Sequence, residues 1–255
     1  MPSTATIDVR REKGIAVLTL NRPRRRNALT SEVRAGLREL LAEFAADDAV
    51  RGVVLGSREQ AFSAGQDLTE AKDFTPAQIT GWIDEHMRLY RTVLAFPKPV
   101  VAAVDGCCVG AGFQLALLCD LRIAAATAFF AMPELDDAIP CILGVWTLYD
   151  IIGRGRTTEM VLTNRRVGAG EAREWGLVAE VVTGDPTGRA VELADRIAGK
   201  PALALRLTKA RLELLAARGT DELTAHAQLA HMQAFASGQP AKAMEQFLTV
   251  GRQEP

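Results

Sequence analysis

The sequence predicts an α/β fold, and three observations support this prediction. Two β-branched runs, at residues 50–55 and 100–104, each lead to a turn built from small residues. Each turn opens into an apolar segment suited to a helix, so strand, turn and helix form a repeating unit. With 255 residues, of which 48% are hydrophobic, the chain has ample material for a large core.

The first elements are a β-hairpin and an amphipathic helix. Short β-rich runs at 7–11 and 15–20 flank Lys13-Gly14, and this pattern predicts the hairpin. Apolar residues then recur at three- and four-residue spacing over 31–46, with Thr30 or Ser31 as the candidate N-cap. We therefore expect a helix over 31–46.

The middle of the chain continues the alternation of strands and helices. Pro76 suits the first turn of a helix, and the apolar spacing predicts that this helix runs to Phe96. A short strand is expected at 121–124. Further helices are predicted over 144–152, 157–162 and 170–175, and a further strand over 178–182.

The C-terminal part of the chain is predicted to be helical. From Asp185 onward strand patterns stop, and helical spacing covers 193–198, 201–217 and 221–236. The predicted organisation is a core over 1–184 and a C-terminal helical subdomain over 185–255. Helical tails with many exposed apolar positions commonly bury them against another subunit, so we expect self-association.

Composition excludes several function classes. Lys and Arg total 30 and Asp and Glu total 31, so the net charge of -1 gives no general attraction to nucleic acid or to a membrane. The sequence has no apolar run of membrane-spanning length and no signal-peptide pattern, so cytoplasmic residence is expected. The four cysteines lack zinc-ligand spacing and the three histidines do not pair, so no metal site is expected.

Two small-residue turns are the most informative feature of the chain. They are Ala64-Gly65-Gln66 and Gly110-Ala111-Gly112. Small residues let the backbone approach a substrate carbonyl, and a helix N-terminus adds partial positive charge, so two backbone N–H groups aimed at one point can hold an oxyanion. The second turn also suits a dinucleotide-binding helix, but the third glycine and the following acidic residue of that motif are missing.

Motifs in a fixed order connect the chain to a known family. They are Leu20-Asn21-Arg22-Pro23 with Asn27-Ala28-Leu29, Phe62-Ser63-Ala64-Gly65-Gln66-Asp67-Leu68, Gly110-Ala111-Gly112, Cys119-Asp120-Leu121-Arg122, Pro133-Glu134, and Trp175-Gly176-Leu177-Val178. In this order and spacing the chain resembles the crotonase superfamily, also called the enoyl-CoA hydratase/isomerase family. The resemblance extends from about Ile7 to about Leu248.

The resemblance implies a crotonase-type spiral of repeated ββα units with a C-terminal helical trimerisation region. It also implies self-association as a trimer or a dimer of trimers. The expected ligand is an acyl-CoA thioester, as in fatty acid metabolism, with CoA as part of the substrate and no separate cofactor. The oxyanion hole would use the backbone N–H groups of Gln66 and Ala111.

The resemblance also implies where the rest of the substrate lies. The first turn contributes Ala64, Asp67 and Leu68 as expected substrate-binding residues. The arginine-rich loop after the second strand contributes Arg24 and Arg25, because guanidinium groups suit bidentate contacts to the CoA phosphates. Trp82 and Trp146 are candidates for lining an acyl pocket, although aromatic residues at helical spacing also suit a plain core.

One carboxylate of the family's usual pair is replaced. Family hydratases carry two glutamates, and their positions align here with Gln114 and Glu134. An amide cannot exchange a proton near neutral pH, so Glu134 would be the sole base and Gln114 would orient a water or a substrate group. Asp136 and Asp137 are reserve acid/base candidates that also suit capping or exposed positions.

A single base favours one reaction over the others. Moving a double bond needs only one group to remove a proton from C2 and return it to C4, whereas syn hydration normally uses both carboxylates. The sequence therefore favours an enoyl-CoA double-bond isomerase that stabilises a thioester enolate. An enoyl-CoA hydratase, a decarboxylase or C–C hydrolase of the same family, and a non-catalytic acyl-CoA-binding protein remain as alternatives.

Overall fold

Two β-sheets form the framework of the protein. The computed structural model describes residues 6–59 and 61–250, and the strands in these residues are β1 Ile7–Glu12, β2 Ile15–Leu20, β3 Gly52–Ser57, β4 Ala61–Ser63, β5 Val100–Val104, β6 Cys107–Val109, β7 Leu121–Ala125, β8 Phe129–Ala131, β9 Val167–Gly168 and β10 Glu180–Val182. One sheet has the order β1-β2-β3-β5-β7-β10, and the other has the order β4-β6-β8-β9.

Helices follow most of the strands. Their bounds are α1 Ser31–Ala46, α2 Leu68–Ala71, α3 Pro76–Leu94, α4 Gly110–Leu118, α5 Ile142–Thr163, α6 Ala169–Glu174, α7 Thr187–Ala198, α8 Ala202–Ala216, α9 Thr220–Ala236 and α10 Gln239–Val250. A 3-10 helix covers Pro23–Arg25. Thr30 caps α1 by accepting a hydrogen bond from the Val33 amide, which agrees with the predicted start of that helix.

A strand–strand–helix unit repeats three times. In each unit the first strand joins the six-stranded sheet and the second joins the four-stranded sheet, as for β3 and β4, β5 and β6, and β7 and β8. Equivalent strands of successive units pair in parallel. This is the predicted spiral of ββα units, and the α/β fold class is confirmed. Because the pairing is parallel, the turns that follow β4 and β6 lie at the same edge of their sheet.

The central strands β2, β3 and β5 of the six-stranded sheet are buried on both faces, which explains their unbroken apolar runs. In β2, Ala16 and Leu18 belong to the main core with residues of α1 and α3, whereas Ile15 and Val17 belong to a second core with residues of α7. Successive side chains of a strand point to opposite faces, so one continuous apolar run serves both cores.

The structure departs from the sequence prediction in several elements. The strands of the four-stranded sheet are two or three residues long and were not predicted from the residue pattern. The helices predicted over 144–152 and 157–162 form one element, α5, with a non-helical break at Gly153 (φ 73°, ψ 171°). Helix α10 was not predicted. The division between residues 184 and 185 stays a prediction, and α7 on its C-terminal side packs against the six-stranded sheet.

Helix α8 presents an exposed apolar surface. Lys209 is its buried residue, and the ammonium group of Lys209 pairs with Asp120 at 2.5 Å. The large exposed apolar side chains of α8 are Leu203, Leu207, Leu212, Leu214 and Leu215. No helix within residues 6–59 and 61–250 has both the length and the apolarity needed to cross a membrane.

Two buried histidines lie where α3 packs against α9. Trp82 contacts the rings of His86 and His231 edge to face, at centroid distances of 5.2 Å and 5.8 Å. Burial, together with the charge of Arg34, lowers the pKa of His86 from 6.5 to about 3, and burial also lowers the pKa of His231. Both imidazoles are therefore neutral in the folded protein near pH 7.

This burial predicts that replacing His86 changes how stability depends on pH. Below pH 6.5 the unfolded chain binds a proton at His86 that the folded chain does not, so the wild type should lose about 1.4 kcal/mol of unfolding free energy per pH unit at this position. A His86→Phe variant lacks that loss. Urea titrations at pH 7 and pH 5 give the unfolding free energy of both proteins. In the difference between the two proteins, the contributions of the other titrating groups cancel.

If the stability difference between wild type and His86→Phe is the same at the two pH values, His86 is not held neutral by burial. The comparison is informative even if the variant is less stable at both pH values, because only the change in the difference is used.

Candidate functional site

The two small-residue turns lie directly against each other. Gly65 and Gly110 both have positive φ, 91° and 52°, which favours glycine. A Cβ atom built on Gly65 would lie 2.9 Å from the carbonyl oxygen of Val109 and 3.4 Å from the amide nitrogen of Ala111. A side chain at position 65 would therefore separate the turns, and glycine permits their approach.

The amides of Gln66 and Ala111 take no part in the backbone hydrogen bonds that join the two turns to neighbouring loops of the described chain. The amide of Leu29 donates to the Gly65 carbonyl, and the carbonyl of Leu29 accepts from the Asp67 amide. This parallel bridge pairs Leu29 with Gln66 through the residues on either side of Gln66. The N–H of Gln66 points to the opposite side of its strand. The N–H of Ala111 lies in the first turn of α4, where no helical carbonyl is in place to accept it. These are the two amides that the sequence singled out.

Glu134 lies next to the second turn. A Cβ atom built on Gly110 would lie 3.5 Å from Oε1 of Glu134 and 3.9 Å from Cα of Gly65. Burial raises the pKa of Glu134 from 4.5 to about 7, and the negative charge of Asp137 adds to the rise. Hydrogen bonds to the carboxyl group oppose it. A carboxyl group with this pKa can both take up and release a proton near neutral pH.

Gln114 holds the carboxyl group of Glu134. Its Nε2 donates to Oε1 of Glu134 at 2.7 Å, and its Oε1 accepts from the hydroxyl of Tyr90 at 2.6 Å. Helix α4 places Gln114 one turn beyond Ala111. Near the end of this helix, Arg122 donates hydrogen bonds to the carbonyls of Ala116 and Leu117. Gln114 and Glu134 are therefore in contact, and the amide binds the carboxylate directly.

The side chain of Gln66 belongs to a separate polar network. The buried guanidinium of Arg34 donates to Gln66 Oε1 and to Glu85, each at 2.8 Å, and Gln66 Nε2 donates to Glu70 at 3.1 Å. The network fixes the side chain while the backbone amide of Gln66 stays free to bind a ligand. Arg34 was not singled out in the sequence, although it shares one helical face with Leu37 and Leu41.

The other residues of the first turn have structural contacts. Asp67 is buried, caps α2 through the Thr69 amide and pairs with Arg22 at 2.9 Å. Ala64 donates its amide to the Arg26 carbonyl, and Leu68 packs partly buried against the main core. These contacts hold the turn in place, and a role in substrate binding stays a prediction for all three residues.

Arg24 and Arg25 lie in the 3-10 helix after β2. Both are exposed, and neither forms an ion pair within the described residues. Their guanidinium groups are therefore free to bind a phosphate. Asp67, which follows the turn Ala64-Gly65-Gln66, pairs with Arg22, which directly precedes the 3-10 helix. This ion pair therefore joins the arginine-rich loop to the first turn.

The structure separates the two tryptophans. Trp146 stacks on Tyr90, with ring centroids 6.5 Å apart, and so lies beside the group that contains Gln114. Trp82 lies in an aromatic cluster between α3 and α9, where Phe74 and Phe235 also contact it. Trp146 is thus the tryptophan that the fold brings to the candidate site.

Two further groups border Glu134. The buried thiol of Cys141, in the residue that precedes α5, lies near the carboxyl group of Glu134 and lowers its pKa. Asp137 follows in the same turn, and burial raises its pKa to about 6. Asp136 is exposed and accepts a hydrogen bond from Asn164. The sequence drew attention to Asp136 and Asp137 and not to Cys141, since a cysteine in an apolar segment usually packs as a small apolar residue.

Comparisons with known proteins found a matching family profile and similar sequences and structures. The profile of the Enoyl-CoA hydratase/isomerase family matches residues 10–252. Over 78% of this chain and 78% of its own length, 1,2-epoxyphenylacetyl-CoA isomerase of Escherichia coli is 38% identical. Another relative, 2,3-dehydroadipyl-CoA hydratase of Escherichia coli, is 35% identical over 87% of this chain and 85% of its own length.

A solved structure extends the similarity to nearly the whole fold. The crystal structure of an enoyl-CoA hydratase/isomerase from Xanthobacter autotrophicus Py2 superposes with a TM-score of 0.87 and 29% sequence identity. The match covers 99% of this chain and 94% of that chain.

The contact between the two turns predicts a large cost for a side chain at position 65. A Gly65→Ala variant combines positive φ with a clash against the Val109 carbonyl, so we expect a loss of about 1–3 kcal/mol of unfolding free energy. Gly56→Ala is the matched control, because its Cβ would meet its neighbours at 3.7 Å or more. Equal stability of the two variants in chemical denaturation would contradict the close approach of the turns.

Proposed function

The chain belongs to the enoyl-CoA hydratase/isomerase family, and we propose that it is an enoyl-CoA double-bond isomerase with Glu134 as its general base. The observation that carries this proposal is a carboxyl group, with its pKa raised to about 7, beside two small-residue turns whose backbones are in contact. The substrate is an acyl-CoA thioester whose double bond moves from C3–C4 to C2–C3.

The two amides bind the thioester oxygen. As the C2 proton leaves, the C2–H electron pair moves into the C1–C2 bond and the carbonyl π electrons move onto oxygen. The N–H groups of Gln66 and Ala111 donate to this enolate oxygen. Removing one such donor in other enzymes costs about 3 kcal/mol in the barrier, so two donors lower the effective barrier to deprotonation substantially.

Glu134 carries the proton between two carbons. Its carboxylate removes the proton from C2, and the resulting carboxylic acid returns that proton to C4 while the double bond forms between C2 and C3. No water is consumed, so atoms and charges balance with a single acid/base group. Because the pKa of Glu134 lies near neutral pH, its carboxylate can accept the C2 proton and the resulting acid can release it to C4, and neither step is strongly unfavourable for Glu134.

Gln114 supports isomerisation over hydration. It occupies the place of the family glutamate in the helix after the glycine triplet, it cannot titrate, and both ends of its amide bind protein groups. Hydration requires a water that is held and deprotonated at C3. Gln114 contributes a neutral hydrogen-bond donor to Glu134 in place of a second base.

Hydration is the second candidate, and Asp137 is the observation that favours it. This residue supplies another carboxyl group with a raised pKa in the same turn as Glu134. A relative named as a hydratase is 35% identical to the chain. Comparing rates with a 3-enoyl-CoA and with crotonyl-CoA separates the two reactions.

Arg24 and Arg25 are proposed to bind the phosphates of CoA. Their exposed guanidinium groups suit bidentate phosphate contacts, and the loop that carries them is tied to the oxyanion turn through Arg22 and Asp67. In this proposal CoA enters as part of the substrate, and the reaction needs no additional cofactor.

We also propose that the chain associates with itself as a trimer or a dimer of trimers. The exposed leucines of α8 would pack against a second copy. A Leu203→Glu/Leu207→Glu double variant should sediment with a lower mass than the wild type at the same concentration. An unchanged sedimentation mass would exclude α8 as the contact surface.

Replacing the proposed base tests the function. Glu134→Gln should lower kcat for 3-enoyl-CoA isomerisation by about 10²-fold or more, since general bases contribute that much to proton transfer. In the wild type kcat/KM should fall about tenfold per pH unit below pH 7, because protonation removes the base. Glu174→Gln, at an exposed position, is the matched control and should keep wild-type rates.

Retained isomerisation in Glu134→Gln would overturn the assignment of the base. Faster hydration of crotonyl-CoA than isomerisation by the wild type would replace the isomerase with a hydratase. Binding of both thioesters without turnover would indicate an acyl-CoA-binding protein.

A further inference from the structure

We propose that Tyr90 is a positioning residue, whose hydroxyl fixes the side-chain amide of Gln114 so that its Nε2 faces Glu134. This inference rests on the proposed function for its effect on rate. The fixed orientation of the amide is a claim about the protein alone. Within the described part of the chain the Tyr90 hydroxyl hydrogen-bonds to Gln114 and to neither small-residue turn, so it acts through Gln114.

The contact pattern defines a linear chain of three side chains. The Tyr90 hydroxyl donates to Gln114 Oε1 at 2.6 Å, and Gln114 Nε2 donates to Glu134 Oε1 at 2.7 Å. Tyr90 and Gln114 are both buried, at 0% and 5% exposure. Water is therefore kept from competing for these two hydrogen bonds.

Burial of the hydroxyl is what gives the amide its direction. A Gln side chain can turn by 180° and exchange its oxygen and nitrogen with little change in shape. In the turned state the Tyr90 hydroxyl proton would face an NH₂ group, and within the described residues it has no acceptor other than Gln114. A buried donor without an acceptor is costly, so Tyr90 selects the orientation in which Nε2 faces the carboxylate.

Tyr90 itself is held rigidly. Trp146 stacks on one side of its ring at a centroid distance of 6.5 Å, and His86 approaches edge to face at 6.0 Å. Burial and the nearby charge of Glu134 raise the pKa of the phenol, so the hydroxyl keeps its proton and remains a donor. The tyrosine is thus a neutral and fixed reference point for the amide.

The selected orientation stabilises one protonation state of Glu134. An N–H donor facing the carboxyl group favours the carboxylate and lowers its pKa, which opposes the effect of burial. In the turned orientation the amide oxygen would accept a proton from the neutral acid and favour that form. Tyr90 therefore keeps Glu134 available as a base near neutral pH.

Infrared titration of Glu134 tests the proposal without substrate. The C=O stretch of its protonated carboxyl group is assigned by its loss in Glu134→Gln. Gln114→Leu should raise the Glu134 pKa by about one pH unit, since one hydrogen bond to the carboxylate is lost. Tyr90→Phe should raise it in the same direction, whereas the exposed Tyr149→Phe should leave it unchanged.

A double variant separates positioning from a general structural effect. Once Gln114 is leucine, Tyr90→Phe should cause no further rise of the Glu134 pKa. Where Tyr90→Phe does not fold, Gln114→Asn replaces it, because the shorter amide cannot reach both partners. In kinetics, Tyr90→Phe should shift the acidic limb of the kcat/KM profile to higher pH by the amount seen in the titration.

The outcomes distinguish this inference from the proposed function. An unchanged Glu134 pKa in folded Tyr90→Phe, or an equal further rise in the Gln114→Leu background, would overturn the role of Tyr90. A raised pKa that depends on Gln114 supports that role even if the wild type shows no isomerase activity. In that case the proposed function fails and the positioning by Tyr90 stands.

Discussion

The candidate site depends on the close approach of two glycine turns. Gly65 and Gly110 adopt left-handed backbone conformations, and a Cβ on Gly112 would overlap Ser63 at 2.4 Å. Parallel pairing of β4 with β6 brings these turns to one sheet edge, and the absent side chains let the two backbones meet. Without that contact the proposed donors, the amides of Gln66 and Ala111, would lie farther apart, and the proposed oxyanion site beside Glu134 could not form.

The surroundings of this contact combine fixed polar groups with little net charge. The buried arginine Arg34 pairs with Glu85 and Glu70 and holds the side chain of Gln66. On the other side, Glu134 is held by the neutral Gln114. Because no cation among residues 6–59 and 61–250 pairs with Glu134, burial dominates and its pKa rises to about 7. A salt-bridged carboxylate in the same place would be a much weaker base.

Gln114 carries an amide that cannot exchange a proton near neutral pH, so in the proposed function one carboxyl group does all proton transfer. Relatives of this chain are named both as isomerases and as hydratases. The reaction therefore follows from the side chains around the two amides more than from the fold.

The sequence by itself determined the family, the α/β class and the elements with strong local patterns, such as the first hairpin and α1. It also singled out the two turns through their small residues, and Glu134 and Gln114 through the resemblance of the surrounding motifs to the family. The tertiary structure alone showed that Tyr90 binds Gln114 across 24 residues, that Trp146 stacks on it, and that three-residue strands form a second sheet. These features depend on how elements that are distant in sequence pack against each other. The apolar periodicity of the sequence shows only which face of a single helix or strand is buried.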